Sequence, residues 1–251
     1  MTVYEDSGDY DISIKHNNTP LTIADRLAHN KIKEVLGETR IPILSEEGRE
    51  MLFDERKNWD MFWLVDPLDG TIEFIKRNNE FTVNIALMVE NECVAAVVYV
   101  PYLHKIYVAE QGGGSYLLTN VAPDSNAAWS HEDILKQRQA LPLPIEDRPF
   151  RIAVSRSHQT PDTARYVEHM RQEHHQVEVV EQGSSYKFCL MAEGAIDYYP
   201  RTTETYEWDT AAAELVLIEA GGVVRSLPDH RPLQYNKENL HNPWFECYRF
   251  R

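Results

Sequence analysis

Hydrophobic spacing changes from helical to strand-like along residues 21–118. Apolar residues three and four positions apart predict an amphipathic helix over 21–36 that ends at Gly37. Shorter apolar runs, bounded by turn residues, predict strands after this helix. These predicted strands are 41–44, 61–65, 81–89, 93–100, 105–109 and 115–118.

Strands and helices alternate in the second half of the chain, which is typical of a layered α/β arrangement. The predicted strands are 151–155, 177–180, 196–199 and 223–226, and the predicted helices are 161–173, 184–193 and 208–220. Residues 123–149 have little pattern and contain four prolines. We therefore predict an N-terminal α+β half over 1–148 and a C-terminal α/β half over 149–251.

Composition is that of an ordinary globular protein, with 251 residues, 43% hydrophobic and 26% charged. No apolar stretch approaches the roughly 20 residues that cross a bilayer, and the acidic segment 1–10 is unlike a secretory signal. The three cysteines are isolated in sequence, which favours free thiols in a reducing compartment. We expect a cytoplasmic protein and leave peripheral association with the inner membrane open.

A net charge of −15 argues against a nucleic-acid polymer as the partner, because no basic stripe offsets it. A small anionic substrate is still compatible with this charge. Such a substrate requires bound cations and a few local basic residues.

The strongest chemical motif is the segment 66–71, DPLDGT, which follows an apolar strand. Asp66 and Asp69 would lie close together on a tight turn, and two close carboxylates repel each other unless a cation lies between them. Oxygen ligands favour Mg²⁺, Mn²⁺ or Ca²⁺. Gly70 permits close approach of a ligand, and Thr71 would begin a helix whose free N–H groups favour phosphate. The alternative is ordinary turn chemistry.

Three other acidic residues are candidates for the same site. Glu46 follows a predicted strand. Asp25 lies in the first turn of the predicted helix, where Thr22 and Asp25 also match a capping box. Asp209 begins another predicted helix, where first-turn aspartate is common for electrostatic reasons alone.

These motifs together resemble the inositol monophosphatase superfamily of magnesium-dependent, lithium-sensitive phosphatases. The matching segments, in the expected order, are 22–25 (TIAD), 45–47 (SEE), 63–71 (WLVDPLDGT) and 208–212 (WDTAA). Three longer strings resemble its bacterial 3′(2′),5′-bisphosphate nucleotidase branch. They are 69–87 (DGTIEFIKRNNEFTVNIAL), 155–158 (SRSH) and 183–190 (GSSYKFCL).

The resemblance implies a layered α/β/α/β/α sugar-phosphatase fold, α+β in its first half and α/β in its second, with the site in the cleft between them. It also implies hydrolysis of 3′-phosphoadenosine 5′-phosphate to AMP by metal-activated water. Glu46, Asp66 and the Leu68 carbonyl would hold one Mg²⁺, and Asp66, Asp69 and Asp209 a second. A third ion near Glu46 is left open, and Mn²⁺ is expected to substitute.

The resemblance assigns the remaining roles as follows. Asp25 and Thr71 would orient the attacking water, with Glu46 nearby, and Gly70 and Thr71 would offer N–H groups to the phosphate. The nucleotide and its second phosphate would contact four other residues in addition to Asp209: His158, Ser184, Lys187 and Arg201.

Alternatives and departures from the family pattern stay open at this point. A phosphatase of the same fold acting on inositol or fructose phosphates is the second hypothesis, and a catalytically silent binding or regulatory protein is the third. Asn17 stands where relatives often carry Asp, which weakens the case for a third ion. Relatives usually carry a further helix before the first motif, and we expect this difference to affect stability or an oligomer interface. The expected state is a monomer or homodimer.

Overall fold

Two large β-sheets, one small two-stranded sheet and the helices packed on the large sheets make up the fold of the described residues. The computed structural model describes residues 1–6, 10–15, 20–121, 130–145 and 147–249. Within these ranges the helices are α1 Thr2–Glu5, α2 Ile23–Gly37, α3 Phe53–Arg56, α4 Thr71–Ile75, α5 His131–Gln137, α6 Pro161–Glu173, α7 Tyr186–Glu193 and α8 Glu207–Glu219. The strands are β1 Ser13–Ile14, β2 Pro20–Leu21, β3 Ile43–Ser45, β4 Met61–Asp69, β5 Thr82–Val89, β6 Glu92–Val100, β7 Lys105–Glu110, β8 Gly114–Leu118, β9 Gln139–Ala140, β10 Phe150–Ser155, β11 Val177–Gln182, β12 Tyr198–Arg201, β13 Gly222–Ser226 and β14 Phe245–Arg249.

The first sheet has seven strands in the order β3-β4-β5-β6-β7-β8-β9. β3 is parallel to β4, and the other neighbours are antiparallel. Alternate residues of β5 are buried, as expected of a strand with one face on the core. Glu90 and Asn91 both have positive φ in the two-residue loop between β5 and β6, which is typical of a tight hairpin turn.

The second sheet has five strands in the order β11-β10-β12-β14-β13. β10 is parallel to β11 and to β12, whereas β14 is antiparallel to β12 and β13. Since parallel strands end at the same edge of a sheet, the segments after β10, β11 and β12 emerge together. Those segments carry His158, Ser184 and the loop after Arg201.

Helices and sheets form the predicted five layers. α8 packs on β4 to β8 of the first sheet and on β13 of the second, and α7 lies beside it. α2 packs on β3 and β4 at one edge of the first sheet, and α6 packs on β11 and β12 of the second. The main core therefore lies around α7 and α8, and a smaller cluster that includes Ile152, Val154 and Val167 lies under α6. The layered α/β/α/β/α prediction is confirmed.

Most predicted elements agree with the structure to within a few residues, with informative exceptions. The helix predicted over 184–193 begins at Tyr186, because Ser184 has a φ of +51° that a helix cannot contain. No strand was predicted after residue 226, yet β14 lies between β12 and β13. Its alternation of buried Phe245 and Cys247 with polar residues is too short to stand out in sequence.

The membrane and cysteine predictions can be compared with the structure. None of the helices in the described ranges has the length and apolarity needed to span a bilayer. Cys93, Cys189 and Cys247 are free thiols, as predicted. The division at 148/149 falls between the last strand of the first sheet and the first strand of the second, and it stays a prediction.

Candidate functional site

The DPLDGT motif lies at the carboxyl end of β4, where its pairing with β5 becomes irregular between Asp66 and Asp69. The backbone N–H of Leu68 donates to Asp66 Oδ1 at 3.0 Å, which tightens the turn. Gly70 has a φ of +91°, and a Cβ there would lie 3.0 Å from the Glu80 carbonyl oxygen. Only glycine suits both conditions, and α4 then begins at Thr71 as predicted.

Three carboxylates converge at this turn. One oxygen each from Asp66, Asp69 and Asp209 lies within 4.8 Å of the others. Asp66 is 1% exposed, and its Oδ2 has no hydrogen-bond partner among the described residues. Burial, followed by the charges of Glu46, Asp69 and Asp209, raises the pKa of Asp66 well above its usual range.

The pKa of Asp209 is raised well above its usual range as well, by burial and then by Asp69 and Glu46. Such a cluster strongly disfavours its own ionised form, and a divalent cation removes the conflict by neutralising the charge. The donors are all carboxylate oxygens, which fits a hard cation such as Mg²⁺. Asp66 Oδ2 has no hydrogen-bond donor in the described part of the chain, so this oxygen is free to act as a ligand atom.

Glu46 lies beside this cluster, directly after β3. Its backbone N–H donates to the Val65 carbonyl, which holds it against β4. Lys15 donates to Glu46 Oε1 at 2.7 Å and also to Glu47. A lysine ammonium therefore already contacts one predicted metal ligand, an interaction that sequence analysis did not anticipate. Asn17, the other residue considered in this loop, lies outside the described residues.

Asp25 has both of the roles that the sequence left as alternatives. It accepts the capping hydrogen bonds at the start of α2, and it contacts a residue of the site. Thr22 donates to Asp25 Oδ2 from its backbone N–H at 2.7 Å and from its hydroxyl at 2.5 Å. The Thr71 hydroxyl donates to Asp25 Oδ1 at 3.1 Å. Asp25 is 1% exposed, so the helix start fixes this carboxylate and leaves its second oxygen to Thr71.

Asp209 is held at the start of α8 by the chain that precedes the helix. The backbone N–H of the N-cap residue Tyr206 donates to Asp209 Oδ2 at 2.8 Å, as the third helical residue of a capping box accepts it. Its neighbour Glu207 is fully buried and accepts from Lys237 Nζ at 2.6 Å. The first turn of α8 is thereby fixed to the 234–242 loop.

Ser185 connects the two halves of the acidic cluster, and sequence analysis gave it no role. Its backbone N–H donates to Asp69 Oδ2 at 2.5 Å, and its hydroxyl contacts the same oxygen and the Asp209 carbonyl. Asn84 Nδ2 donates to the Ser185 hydroxyl at 2.8 Å. The string 183–190 had drawn attention to this loop, but no local pattern signals a contact 116 positions away.

A cleft of about 640 Å³ opens beside the cluster. Eleven of the twelve predicted site residues line it: Glu46, Asp66, Leu68, Asp69, Gly70, Thr71, His158, Ser184, Lys187, Arg201 and Asp209. The twelfth, Asp25, reaches it through the Thr71 hydroxyl. The structure therefore brings together residues that span most of the chain.

Lys187 and His158 differ from exposed basic residues. Lys187 is 2% exposed, and its ammonium donates to the Gln182 and Ser184 carbonyls at 3.1 and 2.7 Å. Burial, assisted by Arg201, lowers the pKa of Lys187 to about 7. Burial, together with Arg201 and Lys187, also lowers the pKa of His158, which favours the neutral imidazole at neutral pH.

Known proteins match this chain over nearly its full length. The inositol monophosphatase family model matches residues 2–243. The 3′(2′),5′-bisphosphate nucleotidase CysQ of Escherichia coli K12 is 39% identical over 98% of this chain and 92% of its own length. CysQ of Haemophilus influenzae is 37% identical over 93% of this chain and 82% of its own length.

A solved structure agrees with these sequence matches. CysQ from Bacteroides thetaiotaomicron, a bacterial member of the inositol monophosphatase family, has a TM-score of 0.89 and 44% identity to this chain. The alignment covers 100% of this chain and 91% of that one. With four acidic segments converging on one cleft and the layered fold around it, this chain belongs to the inositol monophosphatase family.

Proposed function

We propose that this protein is a magnesium-dependent 3′(2′),5′-bisphosphate nucleotidase that converts 3′-phosphoadenosine 5′-phosphate to AMP and phosphate. The observation that carries this proposal is that one cleft is lined by both kinds of charge. Carboxylates of Asp66, Asp69 and Asp209 converge there, and Lys187 and Arg201 line the same cleft. A substrate with two phosphates matches an arrangement in which cations neutralise one phosphate and basic side chains meet the other.

The metal ligands in this proposal are those expected from the family. Glu46, Asp66 and the Leu68 carbonyl would hold one Mg²⁺, and Asp66, Asp69 and Asp209 a second, with a third near Glu46 and Mn²⁺ as a substitute. Bound ions of this kind lower the pKa of coordinated water and neutralise charge on the transferred phosphoryl group.

Thr71 and Asp25 are proposed to orient the attacking water. The Thr71 hydroxyl donates to Asp25 Oδ1 at 3.1 Å, with the Leu68 carbonyl as a longer acceptor at 3.4 Å, so its lone pairs are left to accept a hydrogen bond from a water in the cleft. Asp25 keeps this hydroxyl in one orientation because Thr22 fixes the carboxylate. The backbone N–H groups of Gly70 and Thr71 are proposed to meet the scissile phosphate.

The second phosphate is assigned to the basic side chains of the cleft. Lys187 donates two of its three ammonium N–H groups to backbone carbonyls, and the third is available to a phosphate. Arg201 donates to the Glu204 carbonyl from Nη2, and its Nε has no partner among the described residues. Ser184 and His158 line the cleft beside them. These groups favour a bisphosphate over a monophosphate, because a monophosphate would leave them unmatched.

Phosphate release from three substrates tests the proposal. We expect release from 3′-phosphoadenosine 5′-phosphate with Mg²⁺, much slower release from inositol 1-phosphate and fructose 1,6-bisphosphate, and none in the presence of EDTA. Preference for inositol 1-phosphate or fructose 1,6-bisphosphate would favour a sugar phosphatase of the same fold. Failure to release phosphate from any of them would favour a catalytically silent member. Lithium inhibition, a monomeric or homodimeric state and a cytoplasmic location with or without contact to the inner membrane belong to the same proposal.

A further inference from the structure

Trp244 stands at the rim of the cleft and has no part in the roles assigned so far. It lines the cleft together with Thr203, Thr205 and Tyr206, and its side chain is 43% exposed. Large exposed aromatic surfaces in a concave site commonly contact a ligand, because water is a poor partner for their faces.

The backbone around Trp244 is fixed on both sides. The Asn242 N–H donates to the Thr205 carbonyl at 2.8 Å, and Asn242 Nδ2 donates to the Tyr206 carbonyl at 2.7 Å. The Trp244 carbonyl accepts from Leu227 N–H at 2.6 Å, and Phe245 is fully buried. The exposed indole therefore projects from a rigid segment, which lowers the conformational entropy lost when a ligand covers it.

Neighbouring aromatic rings at this rim already have partners. Tyr206 stacks on Trp208 with ring centroids 4.9 Å apart and planes 7° apart, and the centroid of the His241 ring lies 4.2 Å from that of Tyr206. Among the ring contacts of the described residues none involves Trp244. Its face is the one large aromatic surface of this described rim that a substrate could cover.

A polar atom of the same cleft also lacks a partner. The hydroxyl of Thr203 is buried without a hydrogen-bond partner in the described part of the chain. Thr203 lines the cleft with Trp244. An aromatic face and an unsatisfied hydroxyl in one cleft suit a flat ring with polar edges.

We infer that Trp244 is a specificity-determining residue that stacks on the nucleobase of the substrate. The inference rests on the proposed function and deepens it, since it names the feature that separates a nucleotide from a sugar phosphate of the same charge. The acidic cluster would take one phosphate, the basic residues the other, and the indole the planar base. Base stacking tolerates different bases because every base has a π-face, so a purine is favoured only by its larger area.

Binding of AMP and ribose 5-phosphate isolates the base, because the two ligands share the sugar and phosphate. We expect calorimetry in Mg²⁺ buffer to show that the wild-type protein binds AMP more tightly than ribose 5-phosphate. The expected advantage is on the order of 10- to 100-fold. Trp244→Ala should reduce this advantage to within about threefold, with ribose 5-phosphate affinity unchanged, while Trp244→Phe should keep most of it.

Tyr102→Ala is the matched control, because Tyr102 is an equally exposed aromatic residue that does not line the cleft. It should leave both affinities at the wild-type values. Retention of the AMP advantage in Trp244→Ala would overturn the inference. Equal loss of both ligands in that variant, or binding of neither ligand by the wild-type protein, would overturn it as well.

Hydrolysis of 3′-phosphoadenosine 5′-phosphate by the wild-type protein is measured alongside. Absence of hydrolysis with a Trp244-dependent AMP advantage would reject the proposed function and keep the base contact. Hydrolysis by the wild-type protein, together with an AMP advantage that Trp244→Ala does not change, would keep the proposed function and reject the base contact.

Discussion

Lys187 lies in an environment that is unusual for a lysine. A lysine is usually exposed and charged, but this one is buried under two backbone carbonyls and has a pKa lowered to about 7. Its ammonium nitrogen also lies 5.1 Å from the centre of the Tyr199 ring. At neutral pH the free protein therefore holds this group partly neutral, and a bound phosphate would favour its charged form.

The Michaelis constant for the bisphosphate should consequently depend on pH through Lys187. Above pH 7 the free protein must first protonate Lys187 to bind the second phosphate, so KM should rise with pH, by up to about tenfold per unit. Lys187→Met should have a higher KM at pH 7 and a flatter profile from pH 7 to 9. Steady-state kinetics on 3′-phosphoadenosine 5′-phosphate measures both. An unchanged slope in Lys187→Met would show that another group titrates.

Individual site residues differ in how far sequence could predict them. Asp66, Leu68, Asp69 and Gly70 are adjacent along the chain, so one turn already implies their proximity. Ser185 could not be predicted in the same way, because its partners Asp69 and Asp209 belong to other elements. Trp244 likewise depends on tertiary structure, since only the fold brings it to the rim of the cleft.

At the scale of elements, α8 is unusual because it is buried on both sides. Residues 210–217 of this helix are all buried, including Glu214. Burial raises the pKa of Glu214 to about 7, and Tyr235 donates a hydrogen bond to its carboxyl group. A buried carboxyl in a helix between two sheets is a pH-dependent element of the core.

Stability should fall with rising pH because of Glu214. Its pKa in the folded protein lies above the ordinary value of 4.5, so its stabilising effect is complete below about pH 4.5 and is lost as pH rises through 7. Glu214→Gln keeps an acceptor for Tyr235 and cannot ionise. It should match the wild-type free energy of unfolding near pH 5 and exceed it at pH 8, by up to roughly 3 kcal/mol.

Urea unfolding at the two pH values measures this difference. Glu168→Gln, a change at an exposed glutamate of α6, is the control and should follow the wild-type curve. A parallel decline in wild-type and Glu214→Gln proteins between pH 5 and 8 would contradict the role of Glu214.

Helices and strands could be predicted from the sequence where a periodic pattern extends over many residues. They could not be predicted where tertiary contacts decide the structure. α6 was predicted over the same residues that it occupies, with Pro161 at its first position and Thr160 accepting from Thr163 N–H. β1 and β2 pair with one another and have only two residues each. Two residues are too short for a run of apolar residues to mark a strand. β4 extends to Asp69, beyond the predicted end at 65, because its last residues still pair with β5.

For the whole molecule, the acidic cluster joins parts of the chain that the sequence separates widely. Asp66 and Asp69 come from the first sheet, and Asp209 comes from the helix that packs between the sheets. Their mutual repulsion opposes folding in the absence of cations, in a protein whose net charge is already −15. A bound divalent cation should therefore stabilise the entire fold.

The melting temperature should rise with Mg²⁺ and fall with EDTA. A Mg²⁺ concentration 100 times the dissociation constant for Mg²⁺ adds about 2.7 kcal/mol to the free energy of unfolding. Asp69→Asn should lose most of this response, be inactive, and be more stable than the wild-type protein in EDTA, because one repelling charge is gone. Asp229→Asn, at an exposed position, should respond to Mg²⁺ as the wild-type protein does. Equal Mg²⁺ responses in the two variants would argue against Asp69 as a ligand.

The position of α8 between the two sheets has a consequence for how this architecture can be divided. Residues 1–148 expressed alone would lack α7 and α8, and the apolar sheet face formed by Leu64, Ala86, Met88 and Val98 would meet water. Exposed sheet surface of that kind promotes aggregation. The halves are thus not exchangeable modules, and a chimaera that grafts the substrate end of one relative onto another must bring its covering helices and refit their packing.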